Sequence, residues 1–381
     1  MECYLDNSAT TAVDAEVASL MGELMTNGYG NPSSLHGIGF EAEKKLDGAR
    51  QDLAKILKCR ESELIFTSGG TESNNQAITG SFLANTRRAK HIITTAIEHP
   101  SVLETVRFLE GQGCRVDLLG VDRNGRIDLG ELKSLLRPDT LLVSIMHVNN
   151  ETGAVQPIAE AGKMIKEISE GCIFHVDDVQ GFGKLKLIPK EAGVDLLSVS
   201  GHKLYGPKGS GFLYARTGVR LSPLLYGGGQ QKGMRPGTEN VPGAAGLALA
   251  AKKLYQSLDE NLEKLQRLKE VLLDGIEGTE GISLNGGDAP YIISLTVQDV
   301  RSEVLLHALE QNGIFVSSGS ACSSHKKNSV SHTLTAMGLS EKEAASTIRI
   351  STGIKNTEEE MEYTAQVIKK EVKNLRRFVR R

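Results

Sequence analysis

The chain has 381 residues, 39% of them hydrophobic and 24% charged, a balance that excludes an intrinsically disordered polypeptide and suggests two or three domains. Lys and Arg number 44 against 47 Asp and Glu, so the net charge of −3 gives no overall field favouring nucleic acid. No apolar run approaches the ~20 residues of a membrane span. The start, Met1-Glu2-Cys3-Tyr4-Leu5-Asp6, lacks the basic and apolar regions of a signal peptide, so a cytoplasmic location is expected.

In chain order, β-rich runs fall at 63–68, 91–95, 115–121, 140–148, 172–177, 196–200 and 211–216. Helical periodicities at 73–84, 100–111 and 158–169 lie between them. Strand–helix alternation of this kind predicts an α/β fold with a largely parallel sheet, and functional loops at the carboxyl ends of its strands. Residues 244–275 read as one long charged amphipathic helix. A smaller αβ unit follows, with strands at 291–297, 314–317 and 348–351. Residues 357–381 close the chain as an amphipathic helix ending in Arg376, Arg377, Arg380 and Arg381, basic residues that suit a helix dipole and a solvated face better than an RNA-binding tail.

The five cysteines are scattered, with no C-x-x-C pair, which argues against both a disulfide framework and a cysteine zinc site. Cys3, Cys59, Cys114 and Cys172 lie in apolar or helical contexts and read as packing residues. Cys322 sits in Ser317-Ser318-Gly319-Ser320-Ala321-Cys322-Ser323-Ser324, too small and polar a setting for a core, and reads as an exposed thiol. His325 and His332 follow it, but two imidazoles with Lys326 and Lys327 make a solvated basic loop rather than a metal site.

Glycine signals need context. Gly162-Lys163 and Gly183-Lys184 are followed by Met164 and Leu185, so no P-loop is present. Gly37-Ile38-Gly39-Phe40-Glu41-Ala42 satisfies G-x-G-x-x-A but follows a loop and not a strand, and is discarded as a dinucleotide fingerprint. Thr67-Ser68-Gly69-Gly70-Thr71-Glu72-Ser73-Asn74 follows a predicted strand and opens a helix. Its free N–H groups and the Thr71 hydroxyl suit a phosphate, and equally a plain glycine turn capped by Thr71. In Ser200-Gly201-His202-Lys203-Leu204-Tyr205-Gly206-Pro207-Lys208, Lys203 occupies a strand-end turn where an amine is partly desolvated, as imine-forming lysines require; Lys208 reads as a surface lysine. In His175-Val176-Asp177-Asp178-Val179-Gln180, an acid at a strand end can pair with a protonated pyridine nitrogen, and the period of two lets only one of Asp177 and Asp178 do so. A phosphate cradle, an imine lysine and a pyridinium acid together point to pyridoxal phosphate.

These residues carry a resemblance that runs nearly end to end. The chain resembles cysteine desulfurases of the NifS/IscS type, within the class V aminotransferase-like, fold-type I enzymes. The markers are Asp6-Asn7-Ser8-Ala9-Thr10-Thr11, Gly30-Asn31-Pro32-Ser33-Ser34-Leu35-His36, 67–75, Glu98-His99-Pro100-Ser101-Val102 and His147-Val148-Asn149-Asn150-Glu151-Thr152-Gly153. They continue through 175–180, 200–209, Gly227-Gly228-Gly229-Gln230, Arg235-Pro236-Gly237-Thr238-Glu239-Asn240 and 317–324.

The resemblance implies a large cofactor-binding domain over 15–255, built on a mostly parallel seven-stranded sheet. It implies a smaller αβ domain made of 1–14 and 256–381, carrying the cysteine loop. It implies that Lys203 forms the imine with pyridoxal 5'-phosphate, Asp177 meets the pyridine nitrogen, Gln180 bonds the phenolate oxygen and His99 stacks on the ring. Gly70, Thr71, Ser200 and His202 would bind the phosphate, with Thr238 reaching it from the other subunit of a homodimer. Asn150 would lie beside the cofactor and Arg349 would clamp the substrate carboxylate, a task that suits its planar fork. Asp178, where the family usually has a small residue, is expected to face away from the cofactor. The segment after Cys322 has the length of the long-loop group rather than of the short-loop Suf type.

The implied reaction takes L-cysteine to L-alanine with a persulfide on Cys322. The sulfur passes to an acceptor protein, either an iron–sulfur scaffold or an enzyme of tRNA or thiamine thiolation, with no direct nucleic acid, membrane or metal partner. The rivals are a selenocysteine lyase, a class V aminotransferase, which has no use for Cys322 in such a setting, and a non-catalytic scaffold, which has no need of both Lys203 and Asp177.

Overall fold

The computed structural model describes residues 1–85, 90–318 and 330–379, so Cys322 and His325 lie outside the described residues. The central sheet is formed by β2 (Leu64–Thr67), β3 (His91–Thr95), β4 (Arg115–Leu119), β5 (Thr140–Met146), β6 (Ile173–Asp177), β7 (Leu196–Ser200) and β8 (Gly211–Ala215). Their spatial order is β2-β8-β7-β6-β5-β3-β4. All pairings are parallel except those of β8, which runs antiparallel to both β7 and β2. β5 and β6 are buried at every position, as expected of strands covered on both faces.

Alternate side chains leave the two faces. On one, Val143, Phe174, Val176 and Val199 join Leu53, Leu132, Ile165 and Leu247 from α2 (Gly37–Leu57), α5 (Leu129–Leu135), α6 (Ile158–Ile168) and α7 (Val241–Gln256). On the other, Ile92, Leu142 and Leu196 meet Ile78 and Phe82 of α3 (Gly70–Ala84) and Val102 and Val106 of α4 (Pro100–Gly111). Asp177 shares the second face by the period of two, which turns it toward α3.

A second core lies in the small αβ unit. Its antiparallel sheet has the order β12 (Ser317–Ser318), β13 (Thr347–Ser351), β10 (Ile292–Val297), β9 (Ile282–Leu284). Against it pack α8 (Leu258–Ile276), α9 (Ser302–Glu310) and α12 (Glu358–Val379), through residues such as Leu268, Leu272, Leu305, Met361 and Ile368. Cys3 and Leu5 join this core, because β1 (Cys3–Tyr4) pairs in parallel with β11 (Ile314–Phe315).

Four expectations are corrected. The single helix at 244–275 is two, α7 and α8, separated at Ser257, whose φ −127°, ψ 33° is non-helical. The apolar periodicity runs through the break, but Ser257 followed by Asp259 and Glu260 is a helix-start composition. The strand at 314–317 is likewise two, β11 and β12, in different sheets. The loop expected through His332 gives way to a helix at its end: His332, exposed, opens α10 (His332–Ala336), and Ser331 Oγ accepts from Leu334 N as its cap. Finally, α1 (Ala15–Thr26) and α2 precede the first sheet strand, where no helix was expected. Asp14 caps α1, and His36 Nδ1 accepts the Gly39 N–H to cap α2. The glycine at 39 is a packing residue, since a Cβ there would stand 2.3 Å from Ser34 O.

Candidate active site

A cavity of about 370 Å³ opens at the carboxyl ends of β5, β6 and β7, closed by the segment 8–9 and by Arg349 of the small unit. Ten of the residues singled out in the sequence line it: Gly70, Thr71, His99, Asn150, Asp177, Gln180, Ser200, His202, Lys203 and Arg349. Thr238 does not; it is exposed, in a separate depression with Arg235 and Gln231.

Lys203 ends the short turn Gly201–Lys203 that follows β7. The turn is fastened twice, by Leu204 N and Gly206 N donating to Gly201 O, and Tyr205 between them holds φ at +62°. A bulky residue in that region is strained, and here it is over-determined. Thr11 Oγ1 accepts from Tyr205 N at 2.8 Å, and the Tyr205 hydroxyl accepts from Ile354 N at 2.8 Å. The Lys203 amine points into the cavity and donates to Ser8 O and, at 2.7 Å, to Ala9 O.

Asp177 is the last residue of β6 and is 5% exposed. Asn74 of α3 donates to its Oδ2 at 2.7 Å, and Val179 N donates to Oδ1 at 3.0 Å. Asn74 Nδ2 also donates to Ser101 Oγ at 2.9 Å, tying the acid to the start of α4. Asp178 lies away from the cavity, buried against His147, with 2.6 Å between Oδ1 and Nδ1. Burial pushes the Asp178 carboxyl up, and the His147 charge opposes this.

His99 caps α4, its Nδ1 accepting from Ser101 N at 3.1 Å, so the ring proton sits on Nε2. Burial holds its pKa below the ordinary imidazole value against the pull of Asp177, and the ring is neutral near neutral pH. His202 is held down to about 4 by burial first, then by Lys203, Lys208 and Lys184.

The start of α3 is uncapped by any side chain, and Gly69 before it holds φ at +151°, where a Cβ would stand 3.4 Å from Ser200 Oγ. A Cβ on Gly70 would stand 2.7 Å from Val179 Cγ2, so only glycine permits this close approach. Gly70 and Thr71 at the helix start line the same cavity as Ser200, His202 and Lys203, a set of donors that suits a phosphate.

Arg349 is 3% exposed on β13, donating to Asn150 O at 2.9 Å and to Asp6 Oδ1 at 2.6 Å. Its Nε is buried without a partner, and the residue lines the cavity.

Several contributors were not foreseen. Ser8 and Ala9 act through backbone carbonyls, which leave no side-chain signal. Asn74 and Ser101 lie inside motifs already quoted, but nothing in their identity announces an Asp partner. Glu98 is fully buried, its Oε1 accepting from Met146 N and Thr95 Oγ1, each at 2.8 Å, while Oε2 has no partner. Burial pushes its carboxyl up to about 8. Among the described residues, no group of three or more His, Cys, Asp or Glu could hold a metal ion.

A buried acid, an amine-bearing turn and a helix start without a side-chain cap thus meet at the carboxyl ends of the strands of a mostly parallel sheet, where sites of such folds gather. Residues 3–364 match the family described as aminotransferase class-V, and the chain belongs to that family. It is 42% identical over 376 residues to a protein of Methanosarcina thermophila named cysteine desulfurase IscS, covering 98% of this chain and 92% of that one. A solved structure titled NIFS-like protein superposes with a TM-score of 0.92 at 38% identity, covering 98% of this chain and all of the other. A second, titled SspA in complex with cysteine, has a TM-score of 0.82 at 35% identity, over 93% of this chain and 100% of that one. The α/β architecture is that of the NifS-like structures.

Proposed function

We propose that this chain is a cysteine desulfurase that uses pyridoxal 5'-phosphate, working as a homodimer and passing sulfur to an acceptor protein. The observation that carries the reading is the convergence of Lys203, Asp177 and the uncapped start of α3 on one cavity. When bound, the cofactor supplies an electron sink for the carbon that bears the substrate's amino group. Lys203 would hold it covalently, Asp177 would keep its pyridine nitrogen protonated, and His99 would cover its ring. Gly70, Thr71, Ser200 and His202 would take its phosphate and Gln180 its phenolate oxygen. The residues fit: Asp177 is fixed by two donors, His99 is neutral enough to stack, and the cradle gathers donors without an anion.

In the reaction, Arg349 Nε receives the L-cysteine carboxylate, with Asn150 beside it. Lys203 Nζ would take the proton from the substrate's Cα, its amine oriented by the carbonyls of Ser8 and Ala9. Cys322 would be the sulfur acceptor: the substrate's Cβ–S bond breaks, an S–S bond forms on Cys322 Sγ, and the one hydrogen that the Cys322 thiol gives up is matched by one gained at Cβ, which leaves as the methyl group of L-alanine. The other four cysteines are poor thiolate donors, because burial raises the Cys59 and Cys172 thiols to about 12 and Cys114 to about 11, and pushes Cys3 up as well.

Thr238, exposed and away from its own chain's cavity, is assigned to the partner's phosphate. Residues 15–255 are assigned to the large domain, and 1–14 with 256–381 to the small one. No described helix is long and apolar enough to cross a membrane. The test supplies L-cysteine and a reductant to the loaded protein and measures alanine and sulfide. Equal amounts of both are expected; turnover of selenocysteine alone would replace the reading with a selenocysteine lyase.

A further inference from the structure

We infer that Lys184 is a positioning residue that orients and polarises the side-chain amide of Gln180 toward the cavity, an assignment that rests on the pyridoxal phosphate reading above. Lys184 Nζ lies 3.4 Å from Gln180 Oε1. An ammonium has donors only, so that oxygen is its acceptor, and the amide nitrogen must face the other way. It does: Gln180 Nε2 donates to Ser8 O at 2.9 Å, on the cavity side. Turned over, the amide would lose both contacts and present an oxygen where the phenolate needs a donor.

Tyr291, at the border of the small unit, holds both partners. Its hydroxyl donates to Gln180 O at 2.9 Å, and Lys184 Nζ stands 4.7 Å from its ring centroid. The ring is 1% exposed, and a desolvated cation over a ring face is attracted to it. The same Ser8 carbonyl that accepts from Gln180 also accepts from Lys203 Nζ. A continuous run of hydrogen bonds therefore joins Lys184, Gln180, Ser8 and Lys203.

The charged groups facing Lys184 are Lys203 and Asp178, and Asp178 is already engaged with His147. Burial first, and then the Lys203 charge, bring Lys184 down to about 7, with Asp178 opposing. A positive Lys184 makes Gln180 Nε2–H a stronger donor and disfavours a second positive charge at Lys203 Nζ. Lys184 does not line the cavity, so beside the direct repulsion between the two amines its influence there is exerted through Gln180. A purely packing role would be met as well by methionine.

The test is a double-mutant cycle on the full chain loaded with pyridoxal phosphate, comparing wild type, Lys184→Met, Gln180→Ala and the double variant, with Lys184→Arg as the conservative replacement. The readout is the pH midpoint of the bound cofactor's visible absorption change, with thermal unfolding recorded for each protein. Lys184→Met should raise the midpoint by about half a pH unit, roughly a threefold change in proton affinity. Lys184→Arg should leave it near the wild-type value, and Lys184→Met should raise it by clearly less once Gln180 is alanine, the remainder being the direct repulsion between the two amines. An unmoved midpoint, or shifts that add in the double variant, would overturn the assignment. If Lys184→Met does not fold, Lys184→Gln, uncharged but still a donor, must show the same rise. A wild type with no visible band at all would overturn the cofactor reading instead, a failure distinct from that of Lys184.

Discussion

Glu98 gives the sharpest stability prediction. Its carboxyl is fully buried, one oxygen takes two donors and the other takes none. The folded chain therefore keeps it protonated up to about 8, from an ordinary value of 4.5, with burial the leading cause and Asp177 adding to it. Between those two values the folded state binds one proton more than the unfolded state, so the contribution to stability falls as pH rises. The slope is about 1.4 kcal/mol per pH unit, and it vanishes below the unfolded value and above the folded one. In Glu98→Gln the amide oxygen can keep Met146 N and Thr95 Oγ1, and the titration is gone. The amide's unmatched N–H groups shift stability by an amount that does not depend on pH. Denaturant unfolding of both proteins between about pH 5 and 7.5 should show the wild type losing about 3 kcal/mol relative to the variant. Curves that stay parallel across that range would refute the buried, protonated Glu98.

Three further outcomes follow. Lys203→Ala should abolish the lysine adduct fixed by borohydride in the loaded protein, and an adduct at Lys208 would contradict the assignment. Thr238→Ala chains mixed at random with Lys203→Ala chains, each inactive alone, should regain about a quarter of wild-type activity if Thr238 serves the partner in a twofold dimer, because half the dimers are mixed and each mixed dimer has one intact site; a mixture no better than its parents would return Thr238 to its own subunit. Gly162→Ala would normally favour a helix by about 1 kcal/mol, but here the new Cβ would stand 1.9 Å from Ala192 O, so a fall in Tm is expected and a rise would contradict the packing.

What could be read from the sequence followed physical period and punctuation. The strands at 91–95 and 196–200 and the helix at 100–111 have the bounds expected: β-branched residues run to Thr95, Gly201 follows Ser200, and Pro100 and Gly111 bracket the helix. Lys203, Asp177 and Thr71 were recognisable because each stands at a strand end or helix start, where chemistry gathers in a parallel sheet. The division of α7 from α8 was hidden because the charged, amphipathic pattern continues across Ser257. The helices before β2 were missed because the Gly- and Ser-rich segment 28–39 reads as loop, and only the capping by His36 and the close approach at Gly39 show a helix start. Ser8 and Ala9 act through carbonyls, and Lys184 through a turn folded back on Gln180, so their roles exist only in three dimensions.

The central claim is sulfur transfer from L-cysteine to Cys322. The most direct measurement is peptide mass analysis of the loaded chain after one addition of L-cysteine without reductant, with alanine counted in the same sample. One added sulfur atom is expected, confined to the peptide that contains Cys322, with one alanine released per sulfur retained, and no gain in Cys322→Ser. Sulfur on Cys59, Cys114 or Cys172, or alanine released in full by Cys322→Ser, would contradict it.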